Sequence, residues 1–137
     1  DGFSFIFLFV EIRAFSRLKG CTILKNNGRN IMSVTIKQKN NIMTAQIKGD
    51  IDHHTVPSIR DAIDDAFVCA ENVTELVIDF SEVTFMDSSG IGLVMGRYKL
   101  AFANGKALRV INLSERDYKI MKMSGIEKLA KVSKKGE

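Results

Sequence analysis

"ELVIDFSEVTFMDSSGIGLVMGRYKLAFANG" (residues 75–105) changes period in its middle. Glu75 to Phe80 form a short apolar run with β-branched residues, bounded by polar ones, as a strand buried on both faces would be. From Ile91 onward the apolar residues fall at helical spacing, and Asn104-Gly105 supplies a C-terminal stop. Between strand and helix lies "FMDSSGIG", Phe85 to Gly92, with an acid, two hydroxyls and two glycines together. Such a junction can be a helix cap, a catalytic serine, an anion cradle, or a serine that is itself modified.

The flanking segments set the architecture. "SVTIKQKN" alternates, with Val34 and Ile36 facing one way, and Asn40-Asn41 is a turn signal before "IMTAQIKG" resumes strand character. The two read as a hairpin ending at Gly49. Val56, Ile59, Ile63, Phe67 and Ala70 then fall at helical spacing behind a Thr55 N-cap, with Pro57 in the first turn. Asp61, Asp64 and Asp65 lie on other faces and are expected in solvent, and Cys69 is expected as a small buried hydrophobe. "KALRVINL" is a further strand. "SERDYKIMKMSGIEKLAKV" opens with Ser114 three residues before Asp117, close to a capping box, and reads as a helix broken at Gly125 with a short segment after it. The order β-β-α-β-α-β-α predicts one α/β domain: a mixed, mostly parallel sheet of four to five strands with helices packed against it.

Composition narrows the class. The 137 residues carry a formal charge of +4. Residues 1–31 hold five basic against two acidic residues, and the remainder 15 against 14, so the body is nearly neutral and no phosphate-tracking nucleic-acid surface is expected. Two cysteines, Cys21 and Cys69, are too few for a disulfide framework and lack metal spacing. No stretch approaches the roughly 20 apolar residues of a membrane-spanning helix, and a reducing, cytoplasmic setting is expected. The apolar run Phe5 to Val10 lacks helical period and a signal-peptide flank, which leaves an edge strand or an interaction segment open. Gly28-Arg29 can be encoded by a ribosome-binding purine run shortly before Met32. We therefore expect residues 1–31 to be a separate N-terminal segment of translated upstream sequence and 32–137 to be the domain, a genuine extension being the alternative.

The junction chemistry can be weighed next. A cap at Asp87 or Ser88 is worth about 1 kcal/mol. Glycine costs roughly 1 kcal/mol in a helix relative to alanine, so Gly90 and Gly92 need reasons. Gly92 and Gly96, four apart, suggest tight helix–sheet packing, whereas Gly90 suggests access to the adjacent serines. A triad with His53 or His54 can be drawn, but Met86 stands where G-x-S-x-G needs its first glycine. No G-x-x-x-x-G-K phosphate loop occurs, and "DIDHH" has adjacent rather than one-faced ligands, which disfavours metal. A modified serine fits better. The helix N-terminus, with its unpaired N–H groups and dipole, tolerates a phosphoserine there, and the added charge beside Asp87 repels a partner. The chemistry leaves Ser88 and Ser89 equal.

"GDIDHHT" (Gly49–Thr55), "LVIDFSEVTFMDSSGIGLVMGRYK" (Leu76–Lys99) and "MSGIEKL" (Met123–Leu129) resemble the bacterial anti-sigma-factor antagonists of the STAS domain class, most of all those acting on sporulation sigma-F. The resemblance spans residues 33–132 and leaves 1–31 without a counterpart. It implies a non-enzymatic protein whose unphosphorylated form binds an anti-sigma factor serine kinase and frees a sigma factor. The kinase, which carries the ATP or ADP, phosphorylates Ser88 and ends binding; a serine phosphatase restores it. It implies a partner surface of Asp52, His53, His54, Asp87, Ser88, Ser89 and Gly90, and no cofactor in the chain itself. The competing expectations are a STAS regulatory module of another sensory or transport complex and, less favoured, a small serine hydrolase.

Overall fold

Val34 and Ile36 occupy alternate positions of β2 (Ile31–Lys39) and are fully buried, as the period-2 pattern requires. A computed structural model of the chain describes residues 21–26 and 31–137, with side chains from Met32 onward. β2 turns through Asn40, at φ 56°, into β3 (Ile42–Ile51). α1 (Val56–Cys69), β4 (Glu75–Met86), α2 (Ser89–Ala103), β5 (Ala107–Leu113) and α3 (Glu115–Met123) follow in alternation. Gly125, at φ 82°, breaks the last helix as expected, and a 3-10 turn (Ile126–Lys128) leads into β6 (Lys131–Lys134).

The sheet order follows the chain order from β1 to β6. β2 and β3 pair antiparallel, whereas β3–β4, β4–β5 and β5–β6 pair parallel. Each parallel crossover steps the same way along the sheet, so right-handed connections carry all three helices to one face. Met43, Ala45 and Ile47 of β3, Leu76, Ile78 and Phe80 of β4, and Leu108 and Val110 of β5 point into that helix layer and form the core. Among the described residues, only one face of the sheet is helix-covered. The other carries Gln46 bonded to Ser81 Oγ (3.0 Å), Asn112 bonded to Asp79 (3.0 Å), and Arg109 paired with Glu75 (2.8 Å). Val77 is buried on this face as well, which is why the run around it reads as doubly buried.

Several local expectations change. β1 (Cys21–Asn26), where the sequence suggested no element, pairs antiparallel with β2 from Asn26↔Ile31 to Cys21↔Ile36. Phe5 to Val10 lie outside the described residues. β4 runs to Met86 rather than stopping at Phe80, because its end stays hydrogen-bonded to β3 after β5 has left it at Asp79↔Ile111. Cys69 is half-buried rather than buried, at the last position of α1. Asp64 is not a free surface acid: its carboxylate meets the Nε of Arg97, a residue 6% exposed, at 2.7 Å. This is a close charge contact rather than an aligned hydrogen bond. Burial pushes the Asp64 carboxyl up despite the Arg97 charge, and burial draws the guanidinium down. The pair ties α1 to α2.

The glycine roles are inverted. A Cβ on Gly90 would stand 2.4 Å from the side chain of Met86 and 3.5 Å from that of Ile51, so Gly90 is the residue that packing requires. It is buried beneath the junction and gives the serines no access. A Cβ on Gly92 or Gly96 meets nothing within 4 Å. Gly90→Ala should therefore cost about 1–3 kcal/mol by overpacking, while Gly92→Ala should be neutral or gain up to about 1 kcal/mol; denaturant unfolding of both decides it. Among the described residues the core draws on β2 to β5 and the three helices, and we propose that residues 32–137 fold without the preceding segment. A chain started at Met32 should unfold cooperatively with a Tm lowered by only a few degrees, and a non-cooperative melt would refute this.

Candidate functional site

Two strand ends meet at one edge of the sheet. Ile51 of β3 and Met86 of β4 are register partners, and Asp87 N donates to Ile51 O at 3.0 Å. Asp52 and Asp87 are thus the next residues of neighbouring parallel strands, and each turns its strand into a helix. Asp52 Oδ1 accepts from the N–H of His54 (2.8 Å) and of Thr55 (3.0 Å). Asp87 Oδ1 accepts from the Ser89 N–H (2.8 Å) and from the Ser89 hydroxyl. In both turns an aspartate takes up orphan donors ahead of a helix. Thr55 stands at the N-cap position of α1 as expected but makes no cap bond with its hydroxyl, which donates instead to Asp50 O at 2.8 Å. Asp52 does the capping.

The same bonds separate the two serines. Ser89 is half-buried and its hydroxyl is held by Asp87. Ser88 is exposed, its backbone is already helical (φ −63°, ψ −17°), and its hydroxyl makes no cap bond. The sequence contained a signal for this distinction, since an aspartate two residues ahead of a serine forms this turn readily. The first N–H groups of α2 are also more committed than a bare helix start suggests. Gly90 N donates to Asp87 O (3.1 Å) and Ile91 N to Ser88 O (3.2 Å). An anion on Ser88 is therefore favoured by the helix dipole rather than by a ring of free donors.

His53 and His54 are exposed, with ring centroids 3.8 Å apart. The Asp87 carboxyl lies below the usual carboxylate range chiefly because the Ser89 hydroxyl bonds to it; the Ser89 N–H and the His53 charge and N–H add to this. The structure therefore brings Asp52, His53, His54, Asp87, Ser88 and Ser89 to one edge, with Gly90 buried beneath it. Among the described residues no hydrogen bond joins His53 or His54 to Ser88. Thr84 adds a hydroxyl bond to Asp50 at 2.6 Å. Sequence reasoning missed Phe85 and Arg116: the guanidinium of Arg116, in the first turn of α3, lies over the partly exposed Phe85 ring, 5.2 Å from its centroid. By contrast, Ser114 Oγ accepts from Asp117 N (3.1 Å), as the capping-box reading expects.

Because the folded Asp87 carboxyl is depressed, its contribution is fully present above the unfolded carboxylate pKa of about 3.9 and is lost as pH falls through the lower folded value. Asp87→Ala should cost about 1 kcal/mol at pH 7 through loss of the cap. In denaturant titrations at a series of pH values, that deficit should shrink below about pH 4. A deficit independent of pH would mean that the charge is irrelevant.

Comparison with known proteins completes the site. The family model described as "STAS domain" matches residues 33–135. β1 lies ahead of the match, and the matched part holds β3 to β6 with almost all of β2. The anti-sigma-B factor antagonist of Bacillus subtilis (strain 168) is 31% identical over 106 residues, covering 77% of this chain and 94% of the relative. The anti-sigma F factor antagonist of Paenibacillus polymyxa is 28% identical over 98 residues, covering 72% and 83%. The likeness is thus shared between sigma-B and sigma-F antagonists rather than confined to the sigma-F kind. The anti-sigma factor antagonist SpoIIAA in its unphosphorylated form superposes with a TM-score of 0.62 at 28% identity, over 74% of this chain and 89% of that one. The phosphorylated form of the Bacillus SpoIIAA gives 0.58 at 28% identity, over 74% and 92%. With the model spanning the α/β domain and a 31%-identical relative matched over nearly its whole length, the chain belongs to the STAS-domain anti-sigma factor antagonists, which are non-catalytic regulatory proteins.

Proposed function

We propose that the unphosphorylated chain binds, through the edge formed by Asp52, His53, His54, Asp87, Ser88 and Ser89, an anti-sigma factor that is also a serine kinase. The kinase then transfers a phosphoryl group from its own ATP to Ser88, binding ends, and a serine phosphatase restores it. The observation carrying this reading is the exposed, uncommitted hydroxyl of Ser88 beside a Ser89 hydroxyl already bonded to Asp87. Gly90 serves from beneath by letting the start of α2 close onto Met86.

The physics of the switch is electrostatic. A phosphoserine adds nearly two negative charges next to Asp87 and Asp52. The N-terminal dipole of α2 offsets part of the cost to the fold, so the group changes what a partner meets without unmaking the domain. No helix among the described residues is long and apolar enough to cross a membrane, which suits a cytoplasmic setting for this exchange. Within the family, sporulation sigma-F is our reading of the sigma factor served, and sigma-B is the alternative that a 31% identity to a sigma-B antagonist supports. Preferential binding of one anti-sigma factor over the other separates them.

Intact mass after incubation with the anti-sigma kinase and ATP is the test. One phosphate on the wild type and none on Ser88→Ala is expected; phosphate retained on Ser88→Ala would move the acceptor elsewhere. Ser88→Asp should weaken kinase binding at least tenfold with the Tm nearly unchanged, and an unfolded variant would make the residue structural.

A further inference from the structure

Charge is sorted along this chain. Residues 50–87 hold ten acidic residues and one basic residue, Arg60, whereas residues 88–137 hold eleven basic and four acidic. Since sheet order follows chain order, the sorting becomes spatial: α1 and β4 form an acidic side, and β5, α3 and β6 a basic one. α3 presents the basic end in concentrated form. Arg116, Lys119 and Lys122 are exposed, and at roughly 100° per residue they share about 120° of arc with Met123. Asp117 and Met121 take the buried side. Lys128 and Lys131 follow, both exposed.

Acidic residues offset this face only in part: the half-buried Glu127 lies within it and makes no ion pair among the described residues. Glu115 is paired with Lys134 at 3.2 Å, and Asp117 is buried. None of the five cations has an ion-pair partner among the described residues. Apolar side chains stand among them, Met123 at 88% and Leu129 at 49% exposed. The stripe also joins the edge already described, because Arg116 covers Phe85, three residues ahead of Ser88.

We propose that the α3 face from Arg116 to Leu129 is a second docking surface for the same protein partner. It would take an acidic segment with apolar side chains for Met123 and Leu129. This rests on the antagonist reading above. The partner must then be two-signed, basic where it meets Asp52 and Asp87 and acidic where it meets α3, and that pattern fixes its orientation. An anionic membrane fits less well, since the adjoining Asp50, Asp52 and Asp87 would be repelled by it.

The test is Lys119→Glu/Lys122→Glu, at two exposed positions, with the association rate for the anti-sigma factor measured at low and high salt beside Ser88→Asp. The expected result is an unchanged Tm and an association rate about tenfold slower at low salt, with the gap narrowing at high salt. Met123→Ser should speed dissociation several-fold. An unaltered rate and affinity in these variants, while Ser88→Asp still weakens binding, overturns the α3 surface alone. If Ser88→Asp binds as wild type too, the antagonist reading falls and the surface falls with it. Loss of binding to phosphatidylglycerol vesicles with an unaltered association rate would overturn the proposal in favour of lipid.

Discussion

The parallel pairing of β3 with β4 is the constraint on which the rest depends. Because Ile51 and Met86 are register partners, the chain's two aspartate turns emerge side by side from residues 35 apart. A slip of one residue would send Met86 out of the core and move Asp87 away from the His53 loop, since alternate strand residues face opposite ways. Full burial of Ile51 and Met86 holds this register, and Gly90 allows α2 to settle on the same two side chains. The site is an outgrowth of core packing, not a loop laid on top of it.

A second tie lies deeper. Asp64 and Arg97 are each eight residues beyond the first residue of their helix, about 12 Å along the axis. Their contact therefore joins α1 and α2 at matching depth, and the two helix starts are held level. A buried pair of this kind adds little net stability, but removing one partner leaves an uncompensated charge. Its service is to geometry.

Much of this was legible beforehand, for definite reasons. The hairpin at Asn40-Asn41, the stop at Asn104-Gly105, the break at Gly125 and the cap at Ser114 are local signals that the fold leaves intact. What could not be read were effects acting through space. Ser81, Glu82 and Thr84 look like loop residues, yet they belong to β4 because β3 continues to pair with it. Gly90 and Gly92 look alike in sequence, and only the position of Met86 shows which of them must lack a Cβ. Asp64 resembles its neighbours until Arg97 arrives from another helix. In the site itself the edge residues, Ser88 among them, were legible from resemblance, but a physical reason for separating Ser88 from Ser89 needed the Asp87 hydrogen bonds, and Arg116 over Phe85 needed the third dimension.

The uncommitted hydroxyl of Ser88 has a consequence for timing. Since no bond must break to expose it and none of the core depends on it, the modification proposed above, and its reversal, would demand no refolding step. On that proposal the protein would be a switch without moving parts. Its response would be as fast as the enzymes that add and remove the phosphate, and it would keep no conformational memory of its previous state.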